Sequence, residues 1–204
     1  MENTPSKRLI IIQILVIFII PVLLLYFKIF STNWRVVLLA VSSLFIYGII
    51  RHEHWTYDDM GVKYDNFKKA LPFYLFFTVL GVLVLLLIDH KVNLPEIGSR
   101  AFYIKTLAFF IPSSFFQEFA FRSFLIPRLK MIFNNNYYII FFNTILFVFM
   151  HIIYSNWGVI LPLLSISGIL FAWLYIKYPN LILVSVAHSI LNITAVLLGF
   201  FVIN

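Results

Sequence analysis

Seven long apolar segments limit what this chain can fold into. They cover about residues 9–27, 36–50, 71–88, 102–126, 137–154, 159–176 and 181–203. Most approach the roughly 20 residues that an α-helix needs to cross the hydrocarbon core of a bilayer. Only 11% of the 204 residues are charged and 62% are hydrophobic, so a water-soluble fold could not hide this much apolar surface. The sequence therefore predicts an all-α integral membrane protein with about seven or eight transmembrane helices.

The segments follow one another without a linker, a repeat or a low-complexity tract, which predicts a single domain overall. Within it, we expect N-terminal transmembrane helices over residues 1–54 and a membrane core over 55–204. The first apolar segment is too long for the core of a signal peptide and is interpreted as a retained span. The chain has no cysteine, which excludes disulfides, thiolate nucleophiles and cysteine-based metal sites.

The net charge of +7 comes from basic residues that flank the apolar segments. Such residues contact anionic membrane lipids, so we expect lipids as partners and no nucleic acid. With the N-terminus inside, nine lysines and arginines lie on the inner side and five on the outer side. This asymmetry predicts a multi-pass protein of the cell membrane with a cytoplasmic N-terminus.

Charged residues inside the fourth apolar segment need an explanation. A charge at the bilayer centre costs about 2.5–3.5 kcal/mol on insertion scales, and the stretch QEFAFR at 117–122 contains both Glu118 and Arg122. Their i,i+4 spacing places them on one helix face, where they can pair. Taken alone, the two residues could be a structural ion pair or part of a functional site.

Polar side chains in two further apolar segments favour a functional site. The fifth segment ends near His151, and the seventh carries His188 and Asn192 on one helix face. We expect these three side chains and Glu118 to converge on one polar cavity, because facing lipid would cost each of them free energy. Carboxylate, imidazole and carboxamide groups are those that hydrolysis of an amide bond requires. A transporter or proton relay would also use such groups, but inverted repeats are not evident.

The three stretches resemble the motifs of a known family. QEFAFR at 117–122, FVFMH at 147–151 and HSILN at 188–192 are similar, in order, to the EExxxR, FxxxH and HxxxN motifs of the CPBP family, also called the Abi or CAAX-protease-and-bacteriocin-processing family. The resemblance extends over about residues 55–200. It implies an intramembrane endopeptidase that acts on membrane-associated, prenylated or leader-peptide substrates.

The resemblance also implies roles for individual residues. His151 would activate water, His188 and Asn192 would stabilise the oxyanion, and Arg122 would organise the first motif. No cofactor is assigned. If a divalent metal such as zinc is bound, His151, His188 and Glu118 are its candidate ligands.

Gln117 departs from the family pattern, because the first motif usually begins with a glutamate. A carboxamide cannot act as a general base and can only position water by hydrogen bonds. We therefore expect Glu118 and His151 to be catalytic while Gln117 orients water. The alternative is a non-catalytic membrane scaffold or immunity protein on the same fold. The sequence leaves the substrate, the metal dependence and the oligomeric state open.

Overall fold

The computed structural model describes residues 5–88, 100–154 and 157–200, which form helices joined by turns and contain no strand. Seven helical rods follow one another in these ranges. We number them α1 (Lys7–Ile14, Leu15–Ile19 and Ile20–Tyr26), α2 (Arg35–His52), α3 (Phe67–Ile88), α4 (Arg100–Glu118, Phe119–Leu125 and Ile126–Ile132), α5 (Asn136–Phe149), α6 (Trp157–Lys177) and α7 (Leu181–Leu197). The all-α class is confirmed.

Within the described residues, four helical stretches are long and apolar enough to cross a membrane. They are Lys7–Tyr26, Arg35–His52, Phe67–Ile88 and Ile160–Lys177. The helices α5 and α7 are apolar but shorter, at 14 and 17 residues. These helices indicate a membrane protein. They do not confirm the predicted number of seven or eight transmembrane helices, because only four of the described helices meet the criterion.

Two predicted helix ends differ from the observed ones. The fifth apolar segment was expected to be helical to Tyr154, but α5 ends at Phe149 and residues 150–154 form turns, so that His151 lies beyond the helix. The seventh was expected to reach Ile203. Instead α7 ends at Leu197, and residues 201–204 lie outside the described part of the chain.

Prolines shape α1 and α4. Each of these helices contains a π-helical segment, Leu15–Ile19 and Phe119–Leu125, and Pro21 and Pro127 lie just beyond them. A proline has no N–H to donate, and its ring clashes with the carbonyl four residues earlier. The wider π turn accommodates both effects without breaking the rod. The expected division at Pro112 is not observed, because the helix continues through this residue to Glu118.

The central packing joins the three helices that carry the motifs. The helix α4 packs against α7, α5 packs against α6, and α3 covers the other side of α7. At the α5–α6 contact, a Cβ on Gly168 would lie 3.0 Å from the Thr144 methyl, so glycine permits the close approach of the two helices. The arrangement brings the polar residues of α4, α5 and α7 to one interior.

The connection between α2 and α3, residues 53–66, is anchored to the core. The Met60 carbonyl accepts hydrogen bonds from Ser123 Oγ at 2.6 Å and from the Tyr175 hydroxyl at 2.8 Å. The next carbonyl, that of Gly61, accepts from the backbone N–H of Leu181 at 2.8 Å. One short loop therefore ties together α4, α6 and the start of α7.

The same connection contains half of a buried ion pair that sequence reasoning missed. Nη2 of Arg128 lies 2.7 Å from both carboxylate oxygens of Glu53, and the guanidinium lies 5.0 Å from the ring centres of both Trp55 and Phe124. We had counted Arg128 among the basic residues flanking spans, yet it is fully buried.

Candidate active site

The predicted ion pair in α4 is present and fully buried. Arg122 Nε lies 3.1 Å from Glu118 Oε2, and neither side chain is exposed. This contact is an ion pair but not a hydrogen bond, because neither of the two atoms has a hydrogen-bond partner within the described residues. The charges nevertheless neutralise each other in the interior, which offsets much of the cost of burying them.

The other oxygen of Glu118 reaches α7. His188 Nδ1 lies 2.6 Å from Glu118 Oε1, and both side chains are buried. Because a carboxylate only accepts hydrogen bonds, Nδ1 carries the proton and donates it. Glu118 therefore orients the His188 imidazole and connects the first and third motifs.

Asn143 on α5 completes this cluster and was not predicted. It is fully buried, and its Oδ1 accepts a hydrogen bond from Arg122 Nη1 at 2.7 Å. Its Nδ2 donates to the Phe121 carbonyl at 2.8 Å. The only sequence signal was an amide inside an apolar helix, four residues before Phe147, the first residue of the second motif. Asn143 holds Arg122 in place from a neighbouring helix.

His151 lies just after α5, and its orientation is set by the backbone. Its Nδ1 lies 2.8 Å from the Phe147 carbonyl, which can only accept, so Nδ1 carries the proton and Nε2 carries the lone pair. The Phe147 ring centre lies 5.0 Å from the His151 ring centre and 5.7 Å from the His188 ring centre. The two imidazoles thus flank one phenyl ring, within the roughly 15 Å that a shared site allows.

A cleft of about 960 Å³, including its open mouth, lies among α1, α2, α4 and the turn after α5. We call it the first cleft. Its polar lining includes Ser42, Ser113, Gln117, His151 and Asn192, and most of the remaining wall is apolar. Gln117 Oε1 is buried and accepts no hydrogen bond from the residues described. A buried acceptor of this kind is suited to a water molecule or a substrate N–H.

A second cleft of about 1030 Å³ lies among α3, α5, α6 and α7. Its polar lining residues are Ser167, His188 and Asn192. Asn192 lines both clefts and donates one Nδ2 hydrogen to Ser114 Oγ at 3.0 Å, which leaves its second Nδ2 hydrogen for another acceptor.

The structure therefore brings together Gln117, His151 and Asn192 in the first cleft, while His188 lines the second. Glu118 lines neither cleft. It lies behind them, in contact with both His188 and Arg122. We expected Glu118 and the histidines to share one cavity, and the carboxylate is instead the support on which His188 rests.

The candidate zinc ligands do not fit a metal site as they are arranged. The residues that the structure describes contain no group of three or more His, Asp or Glu side chains placed to hold a metal ion. Both oxygens of Glu118 already face a histidine N–H and a guanidinium, and the positive charge of Arg122 opposes a dication at the same carboxylate.

Comparison with known proteins adds one match. Residues 99–194 match the model of a protein family described as type II CAAX prenyl endopeptidase Rce1-like. The matched segment contains all three motifs and excludes α1, α2 and α3. Neither the curated proteins nor the solved structures contain a match to the chain.

Proposed function

Residues 99–194 belong to the Rce1-like family of type II CAAX prenyl endopeptidases, and from this premise we propose that the protein is an intramembrane endopeptidase. Its substrates are peptides or proteins at the membrane. The observation that carries the proposal is the first cleft, which is lined by an imidazole of defined tautomer, a carboxamide donor, and an amide whose Oε1 accepts no hydrogen bond from the described residues.

His151 acts as the general base. Its Nε2 lone pair takes a proton from a water molecule, and the water oxygen attacks the carbonyl carbon of the scissile peptide bond. The Gln117 carboxamide supplies the hydrogen bonds that place this water. The imidazolium of His151 then gives its proton to the departing amine, so that the protons balance over one turnover.

Asn192 stabilises the oxyanion, since His188 lines the second cleft and its Nδ1–H is engaged by Glu118. Asn192 lines both clefts. Its second Nδ2 hydrogen has no acceptor among the described residues, so none of them competes with the substrate oxygen for it. Hydrogen-bond donors that are already held in place, in a site without bulk water, do not have to reorient when negative charge develops on the substrate oxygen. The Glu118 carboxylate accepts the Nδ1 hydrogen of His188 at 2.6 Å, which fixes this imidazole one helical turn from Asn192.

Glu118 takes a positioning role in this proposal rather than the role of base that the sequence suggested. A base needs access to the water that it deprotonates. Glu118 has no exposed surface and is engaged by Arg122 and His188. Its replacement would disturb His188 and Arg122 before it affected any water in the first cleft.

The membrane setting follows from the helices and the loop charges. We propose a multi-pass protein of the cell membrane with the N-terminus in the cytoplasm, in contact with lipids along its exposed apolar faces. Prenylated proteins are the substrate class that the family description favours, and we propose peptides with leader segments as a second class.

Reconstitution tests the activity. Full-length protein in nanodiscs is incubated with membrane-anchored peptides that carry a quenched fluorophore, and products are identified by mass spectrometry. We expect cleavage by the wild type and a loss of at least about 100-fold in His151→Ala, the lower range of general-base help. His54→Ala, an exposed histidine in a loop, is the matched control. Absence of cleavage by folded wild type across the peptide panel would instead favour the non-catalytic scaffold.

A further inference from the structure

The first cleft extends from the candidate catalytic groups to Arg35, the first residue of α2. Arg35 and Phe109 both line the cleft, and the guanidinium carbon lies 5.0 Å from the Phe109 ring centre. Tyr154 lines the same end and lies within range of a Coulombic interaction with Arg35. An arginine at a helix start often reaches toward the membrane surface. Here the aromatic contact holds it at the cleft wall.

The charge of Arg35 is not matched by an acid in the parts of the chain described, where the ion pairs are Glu118 with Arg122 and His188, and Glu53 with Arg128. The side chain is partly buried. A guanidinium stacked on an aromatic ring keeps its planar edge available for two parallel hydrogen bonds to an anion. This end of the cleft therefore fits a ligand group with paired anionic oxygens.

Helix geometry relates Arg35 to the hydrolytic groups. Phe109, on which Arg35 stacks, and Gln117 are eight residues apart on α4 and both line the cleft. Eight residues of helix correspond to about 12 Å along the axis. An extended peptide advances about 3.3 Å per residue, so a few residues bridge the two ends.

We propose that Arg35 is a specificity-determining residue that binds a carboxylate of the peptide substrate, roughly 12 Å from the scissile bond. The carboxylate belongs either to the chain terminus or to an acidic side chain. A peptide is favoured over the phosphate of a lipid because two other polar residues of the cleft, Gln117 and Asn192, are amides that match peptide backbone groups. Arg35 lies outside the family match at 99–194, so the N-terminal helices add this selectivity to the shared core.

The assignment of a scissile bond rests on the proposed function, but carboxylate binding is tested without it. The probes are three labelled peptides of alanine, leucine and valine: one with a free C-terminal carboxylate, one with a C-terminal amide, and one amide with an internal glutamate. Binding to full-length protein in zwitterionic nanodiscs is measured by fluorescence anisotropy, and mass spectrometry checks that the probes stay intact. Arg35→Gln, Arg35→Lys and the control Arg51→Gln, an exposed arginine at the other end of α2, are compared with wild type.

We expect the wild type and Arg51→Gln to bind a carboxylate probe about tenfold to hundredfold more tightly than the amide, as a charged hydrogen bond provides. Arg35→Gln should abolish this preference, and Arg35→Lys should keep part of it. Whichever carboxylate probe binds more tightly identifies the source of the group.

Equal binding of all three probes, no binding of any, or a preference that survives in Arg35→Gln would overturn the proposal. A parallel set of nanodiscs that contain phosphatidylglycerol tests the lipid alternative, and Arg35-dependent binding of this lipid in place of the carboxylate probes would also overturn the proposal. Cleavage without a carboxylate preference refutes this inference alone. A carboxylate preference without cleavage of any peptide refutes only the proposed hydrolysis.

Discussion

His188 Nδ1 lies 2.6 Å from Glu118 Oε1, although 70 residues separate the two in the chain. The contact joins α4 to α7 in the middle of the helical core, and neither side chain is exposed beyond 4%. It makes the only carboxylate of the motif helices a structural partner of an imidazole. The consequence is that the chemistry of the site and the stability of the fold share the same side chains.

Removal of the Glu118 charge should destabilise the fold. Glu118→Gln strands the Arg122 guanidinium in the interior, and leaving one member of a buried ion pair alone costs about 3–5 kcal/mol. Thermal unfolding in detergent should show a clear drop in the midpoint. Asp58→Asn, in the exposed part of the 53–66 connection, is the control and should unfold like wild type. Equal midpoints for Glu118→Gln and wild type would mean that the pair is solvated.

Asn143 should matter as much as a motif residue. Asn143→Leu removes the acceptor of Arg122 Nη1 and the donor to the Phe121 carbonyl, leaving two buried polar groups without partners. Each such group costs about 1–3 kcal/mol, and the displaced guanidinium should lower kcat of the peptidase.

The neighbouring Thr144 offers a matched control for this change. Its hydroxyl has no hydrogen-bond partner within the described chain, so Thr144→Val should change stability little. The comparison is made by unfolding in detergent and by turnover of one verified peptide. Similar behaviour of Asn143→Leu and Thr144→Val would show that Arg122 is held by Glu118 alone.

Much of the fold was predictable because its determinants are local. Apolar segments long enough for helices placed the seven rods, and the i,i+4 spacing of Glu118 and Arg122 predicted their contact. The polar residues of the three motifs were found because polar groups in apolar helices are costly. Helix ends were predicted less well. The apolar segment continues to Tyr154, but the helix ends at Phe149, because an apolar segment does not by itself determine where a helix ends.

The contacts between distant segments were not predictable from the sequence. Glu53 and Arg128 are 75 residues apart and looked like ordinary flanking charges, so nothing local indicated that they pair. Asn143 was one amide in an apolar helix. The packing of α4 against α7 determines that Glu118 Oε1 contacts His188. This contact, which no local pattern indicates, determines whether Glu118 supports a histidine or activates water.

The 53–66 connection should tolerate no side chain at Gly61. This residue has a φ of 69°, and a Cβ there would overlap the Tyr175 hydroxyl. Gly61→Ala should therefore destabilise the fold by about 1–3 kcal/mol, the cost of a strained backbone conformation. Gly48→Ala is the control, because a Cβ at this helical position meets open space. It should be neutral or stabilising by about 0.5–1 kcal/mol. Unfolding of the two variants side by side checks the prediction, and equal effects would contradict it.

Gln117 allows the sharpest test of how water is activated. Gln117→Glu places a carboxylate in the first cleft with His151, where the proposed role of the amide is to position water. If a base is limiting, cleavage should accelerate by up to about 10²–10⁴, the usual range of general acid–base help. Gln117→Ala should slow cleavage only partly, because His151 remains.

Gln13→Glu is the matched control for the new charge. Gln13 is a buried amide on α1 that does not line the first cleft, so a carboxylate there should not accelerate cleavage. Turnover of one verified peptide is measured for wild type and the three glutamine variants, with unfolding midpoints to confirm that each is folded. If Gln117→Glu is folded yet no faster than wild type, a carboxylate beside His151 is not what the site lacks. If Gln117→Ala is as inactive as His151→Ala, the amide does more than hold water, and the assignment of His151 as the sole base in the first cleft fails.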